Sequence, residues 1–299
     1  MKSLADIGED ALVADLVGML EQDASVIVGP GDDCAVIDAG EQDVYQLMKT
    51  DCLVEGIHYE SGEDPVRIGW KAVARVISDF AAMGGRAEYL LVTIAMPSAA
   101  RVGDIENLYK GMQRCASMFG ACICGGETSS VPDGSAAVIS IAGTGKVSKA
   151  RLATRSGGKH GDAIMVTGTL GGSIAGKHLD FTPRAEEAKW LCGSFDIHAM
   201  MDVSDGLARD LPRLAYASQC GYEIDATYVP VTSGCDLSQA LNDGEDYELL
   251  FTLTSSDVDA LLEAWWGVFP ETKLTKIGRL CDEGEGDDFK DGGWQHFHS

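Results

Sequence analysis

Met48-Lys49-Thr50-Asp51-Cys52-Leu53-Val54-Glu55-Gly56-Ile57-His58 is the stretch on which the fold turns. The run leading into it, Val44-Tyr45-Gln46-Leu47-Met48, is rich in β-formers and predicts a strand. That strand delivers a hydroxyl and a carboxylate side by side at Thr50 and Asp51; Gly56 then turns the chain and His58 follows. Three further acidic groups stand where other ordered elements end: Gly31-Asp32-Asp33, Ser78-Asp79 and Asp202-Val203-Ser204-Asp205-Gly206. Carboxylates gathered this way suit Mg²⁺, which takes oxygen ligands and shares them with substrate phosphates. The pattern predicts a magnesium-dependent phosphoryl transferase.

Upstream of this stretch, Val13, Leu16, Val17 and Leu20 recur at helical spacing and predict an amphipathic helix over Ala11–Glu21. Val26-Ile27-Val28, the turn at Gly29-Pro30-Gly31 and the apolar Cys34–Ile37 read as strand, tight turn, strand. Downstream, Pro65–Met83 predicts a helix with Val73, Val76, Ile77 and Phe80 as its buried stripe and Gly84-Gly85 as its stop. Asp79 meets the unfavourable end of that helix dipole and needs a cation, either a bound metal or Arg75 four residues earlier. A strand over Tyr89–Met96, a helix over Asp104–Phe119, a short strand over Ala121–Cys124 and a strand over Ala136–Gly143 complete an α/β or α+β first half ending near Gly145. The second half reads as a strand at Ala163–Val166, a helix at Leu207–Ala217 with Ser204 and Asp205 in capping positions, a strand at Glu248–Leu253, a helix at Ser256–Trp266 and a strand at Leu274–Ile277.

A chain of 299 residues exceeds what one core usually organises, so two domains are expected, 1–145 and 146–299. The net charge is −24, from 47 acidic against 23 basic residues. Duplex nucleic acid and an anionic membrane would be repelled, which removes both as partners. The run Asp282–Asp288 reads as a solvated acidic loop. Against this acidity, Gly145–Gly161 holds Lys146, Lys149, Arg151, Arg155 and Lys159 and no acidic residue. It reads either as a solvated linker or as a phosphate-facing patch in which Arg155 grips phosphate oxygens. Nine cysteines without a metal or redox spacing are expected to be reduced, and Cys122 and Cys124 to be small buried hydrophobes on one strand face. With no apolar run of 18 residues and an acidic start, a cytoplasmic protein is the default.

Gly171-Gly172-Ser173-Ile174-Ala175-Gly176-Lys177-His178 nearly spells a phosphate-binding P-loop. Its last position requires a Ser or Thr hydroxyl for the nucleotide's Mg²⁺, and His178 does not supply one. A true P-loop is not expected.

Taken in order, Gly31–Val36, Thr50-Asp51 with Glu55-Gly56-Ile57-His58, Ser78–Gly84, Gly125-Gly126-Glu127-Thr128, Leu152–Gly157, Asp202–Leu207 and Gly244-Glu245-Asp246-Tyr247-Glu248-Leu249 resemble the motifs of the thiamine-monophosphate kinase family. That family is related to aminoimidazole ribonucleotide synthetase, selenophosphate synthetase and a hydrogenase maturation factor. The resemblance implies a two-domain fold of the aminoimidazole ribonucleotide synthetase type. Its N-terminal α/β domain would pair strands across a homodimer, and its C-terminal α+β domain would close over the ligands. It implies transfer of the γ-phosphate of ATP to thiamine monophosphate. By the family's motifs, Asp33, Thr50, Asp51, Asp79, Asp202 and Asp205 would hold several Mg²⁺ ions, with Asp51, Asp79 and Asp205 catalytic. Glu127 would stand where relatives place an aspartate ligand. Gly126, Glu127, Arg155 and Ser204 would contact ATP, while His58, Glu245 and Trp294 would face the thiamine phosphate.

Three departures bear on these expectations. Glu127-Thr128-Ser129-Ser130 replaces the relatives' Asp-Thr-Thr-Arg, and the extra methylene moves a carboxylate by about 1.5 Å, large against Mg–O distances of about 2.0–2.1 Å. Val76 stands for the usual Asn, and Lys49 for a small hydroxyl residue. Lys49 either displaces one of the metals or points the other way on the strand. Two alternatives remain: a synthetase of the same superfamily acting on another acceptor, and a non-catalytic nucleotide-binding relative.

Overall fold

The computed structural model describes residues 3–287, 289 and 292–297. Two sheets organise it. The first comprises β1 (Val26–Val28), β2 (Ala35–Ile37), β3 (Val44–Val54), β4 (Arg86–Pro97), β5 (Cys122–Val131) and β6 (Val138–Ser148), in the spatial order β1-β2-β3-β6-β4-β5. All neighbours are antiparallel except β4 and β5. The second comprises β7 (Ala163–Thr167), β8 (Ile197–Asp202), β9 (Gly221–Ile224), β10 (Leu249–Leu253) and β11 (Leu274–Cys281), ordered β8-β10-β7-β11-β9 and antiparallel throughout.

Helix α1 spans Leu4–Val17, α2 Pro65–Ala82, α3 Val102–Met118, α4 Ala185–Ser194, α5 Leu207–Ala217, α6 Leu237–Asn242 and α7 Val258–Val268. Asp64 caps α2 by accepting the Val66 N–H, and Pro65 occupies the first turn, where its missing N–H costs nothing. Val73, Val76, Ile77 and Phe80 are buried as the spacing predicts, but so is nearly every other residue from Ile68 to Ala82. The helix is enclosed on all sides: by the first sheet, by α3, and by the second half of the chain, whose Leu179, Phe181 and Tyr247 join the first core. Gly69 and Gly111 make the α2–α3 crossing possible, because a Cβ at either would stand 1.9 Å from the facing carbonyl oxygen, of Leu108 and Val66 respectively.

Several sequence expectations are corrected. The first helix starts at Leu4 and ends at Val17, and Val13, Leu16 and Leu20 are exposed. Charge docks this segment where the spacing predicted apolar burial: Glu9 and Asp10 pair with Arg209 at 3.0 and 2.9 Å. The strand predicted to end at Cys124 continues through the glycines to Val131. It is an edge strand, so Cys122 and Cys124 are exposed. Helix α4 and strands β8 and β9 had no sequence prediction. Three residues of the basic island are ion-paired: Lys146 meets Glu41, Lys149 meets Asp38 and Arg155 meets Asp33. In the acidic run at 282–288, Asp282, Glu283 and Glu285 are exposed as expected, and Asp288 lies outside the described residues.

Candidate active site

Alternation along β3 decides which side chains enter the site. Leu47, Lys49, Asp51 and Leu53 share the face that packs against α2, while Met48, Thr50 and Cys52 lie on the opposite, exposed face. From α2, Lys71, Arg75, Ser78 and Asp79 stand at i, i+4, i+7 and i+8, one face of a helix. Asp33 comes from the loop between β1 and β2, and Asp202 is the last residue of β8. Ligand oxygens of Asp33, Asp79 and Asp202 all lie within 4.8 Å of one another, and all three residues are buried.

Each carboxylate of this cluster has a different neighbour. Lys49 Nζ donates to Asp79 at 2.8 Å. The cation that the helix end requires is therefore Lys49, whereas Arg75 reaches Asp51 at 3.1 Å and the Cys52 carbonyl at 2.9 Å. Arg155 donates to Asp33 Oδ1 at 2.5 Å. The Ser78 hydroxyl donates to Asp202 at 2.5 Å. Asp33 Oδ2 is buried and has no hydrogen-bond partner among the described residues. Burial, with repulsion from Asp33, pushes the Asp202 carboxyl up to about 7 against the help of Ser78. Burial and the same repulsion raise Asp32 to about 7. Asp79 is raised by burial and by Asp202, Asp51 and Asp33, with Lys49 opposing. Three crowded carboxylates thus face two contacting cations, and an unused buried oxygen marks an open corner. That donor set, all oxygen and negatively charged overall, fits a hard divalent cation.

Beside the cluster lies a pocket of about 240 Å³ whose lining includes His58, Arg75, Asp205, Glu245, Tyr247 and Trp294. Behind its wall Lys71 is fully buried. Its ammonium donates to the His58 carbonyl at 2.6 Å, stands 2.6 Å from His178 Nδ1 and pairs with Glu245. Two of its N–H donors thus meet the His58 carbonyl and Glu245, while His178 Nδ1, also 3.1 Å from Glu245, can either accept from Lys71 or donate to Glu245 but not both. Burial alone would raise Glu245, but the His178 hydrogen bond and the charges of Lys71 and Arg75 outweigh it and hold the carboxyl at about 2. Burial lowers Lys71 to about 8 against the attraction of Glu245. The His58 Nδ1 accepts the Val54 N–H at 3.0 Å, and burial and Arg75 lower the ring to about 4. His58 is thus a neutral imidazole carrying its proton on Nε2.

The remaining expected residues are placed as follows. Asp205 and Ser204 line the pocket, but Asp205 is not one of the clustered carboxylates: it pairs with Arg213 at 2.6 Å. Nor do Ser204 and Asp205 cap α5 through their side chains. Gly206 is the N-cap residue, and the Asp210 side chain reaches back to accept the Ser204 and Asp205 N–H groups at 3.0 and 2.9 Å. Thr50 is not brought to the cluster, because it faces away from Asp51. Glu127 pairs in register with Thr93 on the exposed face of edge strand β5. Two strands, β6 and β4, separate β5 from β3, or roughly 14 Å at about 4.8 Å per strand spacing. Gly126 sits so close to β4 that a Cβ would meet the Val92 carbonyl oxygen at 1.9 Å.

The near-P-loop forms only short turns at Ser173–Ala175 and Lys177–Leu179. Its Gly171 N–H and Ser173 hydroxyl bond to Asp246, and its Gly172 N–H to Asp243. Carboxylates occupy the donors that a phosphate would need. Sequence reading missed Lys71 and Asp210, and weighed His178 only as the last position of a P-loop. The signal for Lys71 was present, since it shares the helical face of Arg75, Ser78 and Asp79.

Residues 31–147 match the family model for the AIR synthase related protein N-terminal domain, and residues 159–288 that for the C-terminal domain. The chain is 35% identical to thiamine-monophosphate kinase of Rhodopirellula baltica, covering 90% of this chain and 89% of the relative. It is 31% identical to that of Aquifex aeolicus, covering 98% and 99%. The solved structure of AaThiL complexed with AMPPCP and TMP superposes with a TM-score of 0.85 at 29% identity, covering 99% of both chains. Within the AIR synthase related class, the chain belongs to the thiamine-monophosphate kinase family.

Proposed function

We propose that this chain transfers the γ-phosphoryl group of ATP to thiamine monophosphate, giving thiamine diphosphate and ADP. One observation carries the reading: a buried carboxylate cluster with an open corner lies beside a pocket lined by His58, Glu245 and Trp294. The relative solved with AMPPCP and TMP supports an ATP-like and a thiamine phosphate ligand for such a pair of sites.

In this reading Asp33, Asp79 and Asp202 form the divalent-cation site, with Asp51 beside it through Arg75. Bound Mg²⁺ would neutralise phosphate charge and polarise the transferring group. The protein's own share is positioning. An attacking phosphate is already anionic near neutral pH, so no strong base is needed. Arg75 supplies positive charge to the pocket wall, and neutral His58 offers an Nε2–H donor. By the family's motifs Arg155 and Ser204 would contact the nucleotide, and Glu245, held ionised, would face the acceptor. Trp294 stacks on the acceptor's cationic or aromatic ring. Residues 1–145 provide most of the metal ligands and 146–299 most of the acceptor wall.

A homodimer belongs to the same proposal. Met48, Tyr89 and Leu91 leave an apolar patch on the outer face of the first sheet beside the unpaired edge of β5, a surface that invites covering. Thr50 and Glu127 lie on that face, so any role for them depends on an approaching second copy. No helix among the described residues is long and apolar enough to cross a membrane. Nine free cysteines support a cytoplasmic site of action.

The test is a coupled assay with purified protein, ATP, Mg²⁺ and thiamine monophosphate. Equimolar ADP and thiamine diphosphate are expected. ADP with orthophosphate would favour the synthetase alternative, and ATP binding without turnover the non-catalytic one. Asp51→Asn is expected to abolish turnover in a folded protein.

A further inference from the structure

The carboxylate cluster already contains a cation of its own. Lys49 enters from β3 on the face shared with Asp51, and its ammonium lies 2.8 Å from Asp79 Oδ1. Asp79 sits in the last turn of α2, where the backbone carbonyls present the negative end of the helix dipole. A cation is needed there whether or not a metal is bound. Of the other carboxylates, Asp33 is half-taken by Arg155, and Asp202 by the Ser78 hydroxyl. The buried oxygen left without a partner among the described residues is Asp33 Oδ2, whereas the ammonium sits on Asp79 Oδ1. The open corner and the lysine are therefore at different carboxylates.

We propose that Lys49 is a resident cation of the cluster: its ammonium fills the place against Asp79 that a divalent ion would otherwise take, so the chain binds one divalent ion fewer than its carboxylates alone would accept. This rests on the reading that the cluster holds divalent cations. An ammonium is a compact point charge with three donors, so it supplies charge neutralisation at Asp79 without the fixed coordination shell of a metal. Ions of a paired metal site stand about 3.5–4 Å apart, and a divalent ion added on Asp79 would meet the ammonium at comparable range. Like charges at that distance in a buried site repel strongly. The divalent ion is held instead on the Asp33 and Asp202 side of the cluster, where the free oxygen is, and Asp79 is shared between that ion and the ammonium.

The experiment counts Mn²⁺ bound per chain by electron paramagnetic resonance. It uses the full-length, metal-free protein with a non-hydrolysable ATP analogue, and compares wild type, Lys49→Arg and Lys49→Thr. Lys49→Thr is expected to bind one ion more than wild type, and Lys49→Arg the same number. Equal, non-zero counts in wild type and Lys49→Thr overturn the role of Lys49 and leave the metal reading intact. No Mn²⁺ in any of the three sinks both. Wild type alone supplies a second readout that does not depend on the folding of Lys49→Thr: reductive methylation of Lys49 followed by mass spectrometry. Labelling that stays unchanged as Mn²⁺ saturates the protein is expected. Labelling that rises would show the metal displacing the ammonium and overturn the proposal.

Discussion

The carboxylate cluster and the pocket wall beside it are made from the same parts and reach opposite electrostatic states. In the cluster, Asp33, Asp79 and Asp202 crowd together against Lys49 and Arg155, and burial pushes Asp202 up to about 7. In the wall, one carboxylate, Glu245, has Lys71, Arg75 and His178 around it and is held at about 2. One region is short of positive charge and the other is saturated. A group short of charge is finished by a ligand from outside, whereas a saturated one holds its shape unaided. The cluster is built to bind, and the wall is built to stay.

The sharpest way to break this contrast is at Lys71. Lys71→Met strips a buried carboxylate of its main partner and is expected to cost about 3–5 kcal/mol in denaturant unfolding. A loss under about 1 kcal/mol would mean that Glu245 is resolvated and the wall is not closed. At the cluster, Asp33→Asn is expected to lower kcat by roughly 10²–10³-fold with little loss of metal-free stability. Unfolding by that substitution would place it among the structural residues.

The pH dependence separates the regions by sign. Asp202 has a folded value of about 7 against 3.8 unfolded, so its contribution to metal-free stability is full below 3.8 and is lost as pH rises through 7. Asp202→Asn should therefore stabilise the metal-free protein on the order of 2 kcal/mol at about pH 8, and not at about pH 4. Glu245 has a folded value of about 2 against 4.5, so its contribution is present above 4.5 and is lost as pH falls through 2. Glu245→Gln should destabilise near neutral pH and lose that effect in acid. Thermal unfolding across the pH range checks both, and equal signs would erase the distinction. The smallest effect is expected at Trp294, which is partly exposed. Trp294→Ala should raise the Michaelis constant for thiamine monophosphate by the equivalent of about 0.5–2 kcal/mol and leave that for ATP unchanged. Equal rises in both would remove the stacking role.

The contrast also marks what the sequence made legible. Asp33, Asp79 and Asp202 stood beside glycines, serines and element ends, where turn chemistry and polar function both write themselves locally, and the structure brings all three together. Thr50 was harder. On a strand both of whose faces carry polar residues, alternation shows that Lys49 and Thr50 diverge but not which one turns inward. The position of Glu127 was hidden for a different reason: a Gly-Gly pair looks like the end of a strand, yet β4 holds the strand in register through it. The saturated wall was the least visible. Lys71 occupies a polar position in an amphipathic pattern, which reads as surface until the second half of the chain covers it. Asp210 capped its own helix from inside, a direction that the usual cap order does not suggest.

The glycine crossing of α2 and α3 has a consequence for how the two regions are spaced. Lys71 and Asp79 are eight residues apart on one rigid helix, roughly 12 Å along its axis at 1.5 Å per residue. With Gly69 and Gly111 pressed against facing carbonyls, this rod cannot slide or roll without moving both ends at once. It serves as a ruler cut to a single length. A methyl group at Gly69, far from any ligand, would displace the metal end and the acceptor end in concert, and would register as a calibration error throughout the site.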